Sequence, residues 1–81
     1  MTTKNLLKRI TAAPKILGGK PVIRGTRLSV EFVLELMASG ATEAEILQDY
    51  PHLKSADLKA CLEYAARSTR NEIYVDLERA G

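Results

Sequence analysis

Three cations, Lys20, Arg24 and Arg27, stand close together in a stretch that contains glycines, a proline and no acid. Lysine and arginine bind phosphate oxygens through charge-assisted hydrogen bonds, so this basic corner suits contact with the backbone of nucleic acid. Arginines in such a turn also serve a structural role, in which they hold a hairpin to carbonyls or to acids such as Glu31 on the following helix. Lys20, Arg24 and Arg27 are all candidate DNA-binding residues, and the position of Arg27 just before a helix cap favours the structural role for it over phosphate contact.

The formal net charge of +2 conceals a separation of sign along the chain. Residues 1–27 contain seven lysines and arginines and no acid, whereas residues 28–81 contain ten acids and five cations. Such a split indicates that the basic part meets an anion, for which duplex DNA is the natural candidate. The alternative is that the two halves attract each other within the fold or across a dimer.

The length of 81 residues predicts a single domain over residues 1–81, near the lower limit for a self-sufficient core. Association into a homodimer would bury more surface. Cys61 is the only cysteine, which excludes an intramolecular disulfide and favours a reducing cytoplasm. Neither a signal peptide nor a membrane span is indicated, so we expect a cytoplasmic protein that does not bind membranes.

The segment before Ser29 predicts a hairpin, and the segment after it predicts a helix. Short extended pieces are separated by Gly18, Gly19 and Gly25, and glycine takes the positive φ of tight turns without steric cost. These features indicate a small wing-like β-hairpin. Ser29 is a favourable N-cap for the helix that follows, and Gly40 is a stop signal at its other end.

Two further helices are predicted, with a short connection between them. Thr42 and Glu45 have the spacing of a capping box, which starts the second helix, and a Tyr-Pro pair ends it. Ser55 is the expected N-cap of the third helix, along which Leu58 and Leu62 recur at helical spacing. The short connection between these helices is typical of a helix-turn-helix.

The third helix is the candidate for DNA reading, and Lys54 and Lys59 are its candidate DNA-binding residues. Asp57 and Glu63 accompany them, and the helix lacks the asparagine and glutamine side chains that read bases well. The helix-turn-helix therefore has two interpretations, as a DNA reader or as a packing scaffold.

The C-terminal segment carries the candidate partner-binding residues Ile73, Tyr74, Val75 and Leu77. Apolar residues alternate here with polar ones, which is typical of a strand, although Ile73 and Leu77 also have helical spacing. A strand of this kind can add to the sheet of a partner protein. It can equally pair with the N-terminal strand of its own chain or of a second copy.

Residues that could carry catalysis are too few to form a site. His52 is the single histidine and is expected in a solvated turn, while Cys61 is expected to be a small core residue. No spacing suits metal ligands. The sequence therefore predicts no catalytic residues, no cofactor, no metal site and no enzymatic activity.

The run from Ile10 to Arg67 resembles the bacterial and archaeal family known as domain of unknown function 433. The most specific part of the resemblance is "GGKPVIRGTRLSV", and "ILQDYPHLKSADLKACLEYA" matches the second and third helices of the family. Residues 10–67 would form the family core, with an N-terminal arm over residues 1–9 and a C-terminal extension over residues 68–81.

The resemblance implies a mainly α fold of the homeodomain-like or winged-helix type: a short N-terminal β-hairpin, a three-helix core with a helix-turn-helix, and a C-terminal strand or helix. Members of the family are commonly described as antitoxins and are often encoded beside a PIN-like nuclease toxin. The resemblance thus implies the antitoxin of a type II toxin-antitoxin pair, which represses its operon and neutralises the nuclease through its C-terminal segment. The alternative is a protein-interaction module that does not bind DNA.

Overall fold

Short helices and a two-stranded hairpin surround one longer helix. The fold is given by a computed structural model, which describes residues 3–69. Its elements in chain order are α1 (Thr3–Leu7), β1 (Ile10–Thr11), a 3-10 turn (Leu17–Gly19), β2 (Val22–Ile23), α2 (Val30–Ala38), α3 (Glu43–Asp49) and α4 (Ser55–Ser68). The predicted class, mainly helical with a small antiparallel hairpin before the helix-turn-helix, is confirmed.

The hairpin uses strands that lie farther apart in the sequence than expected. β1 and β2 pair antiparallel with Ile10 opposite Ile23, and Gly18, with φ of 66°, lies in the 3-10 turn of the long connection between them. Gly25, with φ of 81°, lies in the tighter reversal that follows, which the amide of Ile23 closes by donating to the carbonyl of Leu28 at 3.0 Å. The glycines therefore turn the chain as predicted, but Gly18 does not form the tip of a tight hairpin.

The predicted caps of α2 and α3 are confirmed. Ser29 Oγ accepts a hydrogen bond from the amide of Phe32 at 2.9 Å. Thr42 Oγ1 accepts from the amide of Glu45 at 3.2 Å, and Glu45 Oε1 accepts from the amide of Thr42 at 2.8 Å, which completes the capping box. The backbone hydrogen bond from Thr42 is the main reason why the pKa of Glu45 is lowered.

The predicted cap of α4 is wrong. Lys54, not Ser55, is the N-cap, and its amide donates to Asp57 Oδ2 at 2.9 Å. Ser55 is already helical, and its hydroxyl donates to Glu43 at the start of α3. The Asp57 carboxylate reaches back to the cap amide, and the Asp57 amide donates to the carbonyl of Lys54 at 2.9 Å, so this turn forms without a side-chain acceptor at the N-cap.

The core forms where α4 packs against α1, α2, α3 and β1. Its buried apolar residues are Val22, Ile23, Val30, Val33, Ile46, Leu53, Leu58, Ala60 and Cys61. Leu58 is buried, whereas Leu62, which recurs with it at helical spacing, is 52% exposed. The buried face of α4 is centred on Cys61, and one further residue rotates the side chain of Leu62 by about 100° around the helix axis.

Candidate nucleic-acid interface

Arg24 connects the hairpin to the N-terminal arm. The register that pairs Ile10 with Ile23 places Arg24 beside Arg9, whose carbonyl accepts from the Arg24 amide at 2.7 Å. Arg24 Nε also donates to the carbonyl of Lys8 at 2.8 Å. The Nε hydrogen bond gives the Arg24 side chain a structural role, while the amide hydrogen bond to Arg9 continues the pairing of the backbone.

Lys20 forms an ion pair with Glu31 near the start of α2, with Nζ and Oε1 2.9 Å apart. The hydrogen bond from Lys20 to Glu31, followed by the charge of that carboxylate, raises the pKa of Lys20. Both side chains are largely exposed, and exposed pairs of this kind contribute little to stability. Lys20 can therefore exchange its carboxylate partner for a phosphate at small cost.

Arg27 does not have the internal partner that we predicted. It is exposed, and its side chain has no hydrogen bond or ion pair within residues 3–69. Glu31 is held by Lys20, and the turn is already held by Thr26, whose hydroxyl donates to the carbonyl of Ile23 at 2.7 Å and accepts from the amide of Leu28 at 3.0 Å. The structural role expected for Arg27 is thus performed by Arg24 and Thr26.

A partly buried ion pair joins the N-terminal arm to the start of α4. Arg9 Nη1 lies 3.1 Å from Asp57 Oδ1, while Asp57 Oδ2 accepts from the cap amide of Lys54. Both oxygens of this carboxylate are therefore occupied. Asp57 fixes the position of the arm relative to the first turn of α4.

A basic groove opens beside this ion pair. It has a volume of about 380 Å³ and is lined by Asn5, Lys8, Arg9, Arg24 and Asp57. Three of these side chains are cationic and one is acidic, and the acid is buried and already bonded to Arg9. We call these five residues the basic groove.

Sequence reasoning placed Arg24 at the candidate site but missed Lys8 and Arg9. Their adjacency just before β1, in the acid-free part of the chain, was the only available signal. Lys20 and Arg27 do not line the basic groove. The structure therefore divides the predicted cations between different surfaces.

The helix-turn-helix surface is mixed in charge. Lys54 and Lys59 are exposed, and neither side chain is paired with an acid in the part of the chain that the structure describes. Lys54 adjoins the basic groove, because its amide binds the Asp57 carboxylate that lines it. At the start of α3, however, Glu43 and Glu45 are also exposed. Phosphate binding is consequently favoured at the groove side of α4 and disfavoured at the start of α3.

Residues 10–65 match the family described as "Protein of unknown function (DUF433)". The chain belongs to DUF433. The match confirms the resemblance drawn from the sequence between Ile10 and Arg67.

Two known proteins are similar to this DUF433 protein over most of its length. The uncharacterized protein y4eO of Sinorhizobium fredii (strain NBRC 101917 / NGR234) is 34% identical in an alignment of 71 positions that covers 84% of this chain and 32% of that protein. The chain thus spans about a third of the length of this relative. The crystal structure of a DUF433 member protein from Anabaena variabilis ATCC 29413 is 32% identical, covers 96% of this chain and 74% of that chain, and has a TM-score of 0.71.

The remaining predicted site residues of this DUF433 protein are the partner-binding side chains Ile73, Tyr74, Val75 and Leu77. They lie outside the described residues. Within residues 3–69, no group of three His, Cys, Asp or Glu side chains is arranged to hold a metal ion, and no helix there is both long and apolar enough to cross a membrane.

Proposed function

We propose that this DUF433 protein is a small DNA-binding regulator of the antitoxin type, which represses its own operon and neutralises a PIN-like nuclease. The DNA-binding half is supported by one observation above the others. The basic groove opens at the N-terminal end of α4, the second helix of the helix-turn-helix. In helix-turn-helix proteins this end of the second helix contacts DNA.

The chemistry of this region suits a DNA backbone. The N-terminus of α4 carries the positive end of a helix dipole, and side-chain cations beside it strengthen the attraction for phosphate. Lys8 and Lys54 are both exposed and unpaired among the described side chains, so their ammonium groups are available at no cost in broken ion pairs. Such contacts position the protein on DNA without reading its sequence.

The double variant Lys8→Gln/Lys54→Gln is expected to bind duplex DNA about tenfold more weakly at 100 mM salt, because it removes two phosphate contacts. The slope of log Kd against log salt concentration should fall by about two for the same reason. Fluorescence anisotropy with a labelled promoter fragment would give both quantities. The titration would run from about 50 to 200 mM salt, the range over which phosphate contacts of this kind are weakened.

Lys15→Gln is the matched control, since Lys15 is exposed and does not line the basic groove. Its effect on DNA affinity should be less than about twofold. Absence of binding by the wild type at low salt would contradict the DNA-binding half of the proposal. An equal loss per charge in the control variant would contradict the groove as its location.

The neutralising half of the proposal assigns the partner contact to residues 70–81, with Ile73, Tyr74, Val75 and Leu77 as the side chains that bind the nuclease. It is supported by the resemblance to antitoxins and by the sequence of the segment, in which Ile73, Val75 and Leu77 alternate with polar residues, two of them acidic. A segment of this pattern can pair with a sheet edge of a partner through its backbone.

Co-expression with the product of the adjacent gene is expected to restore growth that this product alone arrests, and the two chains should co-elute. Deletion of residues 70–81 should abolish rescue and co-elution but leave promoter DNA binding unchanged, because the basic groove lies in the retained part. A harmless neighbouring product that does not co-elute would contradict the antitoxin function.

A protein-interaction module without DNA binding is the second candidate, and one observation favours it. Leu62 is 52% exposed on α4, where a DNA-reading helix would present polar groups. Under this function Leu62→Gln would weaken partner binding, and the lysine variants above would leave it intact.

A further inference from the structure

A second groove lies at the start of α2 and differs in chemistry from the basic groove. It has a volume of about 310 Å³ and is lined by Leu17, Arg27, Leu28, Ser29 and Phe32. Apart from the guanidinium and the Ser29 hydroxyl, its side chains are apolar. We call these residues the Arg27 groove.

The apolar walls of the Arg27 groove face solvent. Leu17 is 45% exposed and Phe32 is 37% exposed, although both are large hydrophobic side chains. Phe32 is held in place by Tyr50, against which its ring packs edge to face with the ring centroids 6.0 Å apart. The groove therefore places two partly exposed apolar side chains beside a guanidinium.

Leu17 adopts a strained backbone conformation. Its φ is 48°, and it is the only residue other than glycine with a positive φ in the described part of the chain. Branched side chains disfavour this region, and such outliers are concentrated at binding sites. The 3-10 turn that contains Leu17 thus leaves a leucine partly exposed in the same groove as Arg27.

Arg27 has the only guanidinium in residues 3–69 without a partner. Arg9 binds Asp57, Arg24 binds the carbonyl of Lys8, and Arg67 binds Glu63. A guanidinium beside apolar walls is a strong anchor for a carboxylate, because it can form two parallel hydrogen bonds that water screens only partly. The N-terminus of α2, capped by Ser29, adds a favourable potential for negative charge at the same place.

We propose that the Arg27 groove binds an acidic peptide segment of a protein partner. A carboxylate of the segment pairs with Arg27, and the apolar side chains on either side of it contact Leu17 and Phe32. Charge complementarity selects an acid, and the aliphatic and aromatic walls select apolar neighbours over the hydrated sugar-phosphate of nucleic acid. This surface does not include the basic groove, so the proposal stands independently of DNA binding.

The probe is a fluorescently labelled peptide that alternates leucine and aspartate, compared with the same peptide carrying asparagine for each aspartate. We expect anisotropy titration of the full chain to give a Kd of about 10–100 µM for the acidic peptide. Arg27→Gln should weaken the binding of the acidic peptide by about tenfold or more. The asparagine peptide should bind the wild type about as weakly as the acidic peptide binds Arg27→Gln.

Arg67→Gln is the matched control, because it removes the same charge from an exposed arginine of α4, and its effect should be less than about twofold. Leu17→Gly removes the apolar side chain but keeps the backbone conformation, since glycine adopts a φ of 48° without strain. This variant should remain folded by circular dichroism and bind the acidic peptide several-fold more weakly.

Three results would overturn the proposal. Equal affinity for the aspartate and asparagine peptides would show that Arg27 does not select a carboxylate. Equal losses in Arg27→Gln and Arg67→Gln would show a general effect of net charge. Displacement of the peptide by duplex DNA, with DNA affinity lost in Arg27→Gln, would assign the surface to nucleic acid instead.

Discussion

Asp57→Ala is expected to lower the free energy of unfolding by about 2–4 kcal/mol, because one carboxylate holds two elements together and the variant leaves both without their partner. Arg9 loses the acid 3.1 Å from its guanidinium. The amide of Lys54 loses the acceptor that caps α4. Urea denaturation at neutral pH, followed by circular dichroism, measures the loss. In a domain of this size the same change should lower Tm by about 10 °C or more.

Asp57→Asn separates the two contributions to this loss. Its amide oxygen can still accept from the cap amide, but it carries no charge for Arg9. We therefore expect an intermediate loss of about 1–2 kcal/mol. The double variant with Arg9→Met should recover part of it, because the guanidinium is then no longer left unpaired.

Glu63→Ala is the matched control, since Glu63 pairs with Arg67 on the same helix at the same distance of 3.1 Å but without joining another element. Its effect should stay within about 0.5 kcal/mol. A loss of similar size in Asp57→Ala and Glu63→Ala would contradict the role of Asp57 as the connection between the arm and α4.

The elements that could be predicted from the sequence are those fixed by neighbouring residues. Ser29, Gly40 and the Thr42–Glu45 pair each act within one turn of helix, so their spacing alone indicated where α2 and α3 begin or end. The wrong prediction of Ser55 as the N-cap of α4 also concerns interactions within one helical turn. Two local capping solutions were available, and the carboxylate of Asp57, which also binds the distant Arg9, was the one adopted.

The roles of the arginines could not be predicted, because they depend on contacts between distant parts of the chain. Arg24 lies beside Lys8 and Arg9 only because Ile10 pairs with Ile23, and a two-residue strand carries little sequence signal for its register. Arg27, three residues further on, lies beyond this pairing. The sequence therefore located the basic corner but not the division of its cations between a structural contact, an ion pair and an open groove.

The basic groove was missed for the same reason. Lys8 and Arg9 precede β1, and the packing of α1 and β1 against α4 brings them to the N-terminal end of α4. Asp57 both stabilises this arrangement and moderates its charge. A variant that removes this acid would make the groove more positive while loosening the arm that carries the cations.

Cys61 is expected to react with iodoacetamide at pH 8 at least about 100-fold more slowly in the native protein than in the urea-unfolded chain. Burial, followed by the negative charge of Asp57, raises the pKa of the Cys61 thiol from 9.0 to about 11. The reactive thiolate is then about a hundredfold rarer at pH 8 than in an unfolded chain. The side chain is also fully buried, which slows the reagent further. Rapid native labelling would contradict this assignment of Cys61 to the core.

The same pKa makes the stability of the protein depend on pH above 9. Because the folded pKa of Cys61 is about 11 and the unfolded value is 9.0, its contribution is fully present below pH 9 and is lost as pH rises towards 11. Between about pH 8 and 10.5 the wild type should lose about 2 kcal/mol more than Cys61→Ala, in which no thiol titrates. Urea denaturation of both proteins at the two pH values measures the difference. In Asp57→Asn the pKa of Cys61 should fall, because the negative charge that opposes the thiolate is removed, and labelling should accelerate accordingly.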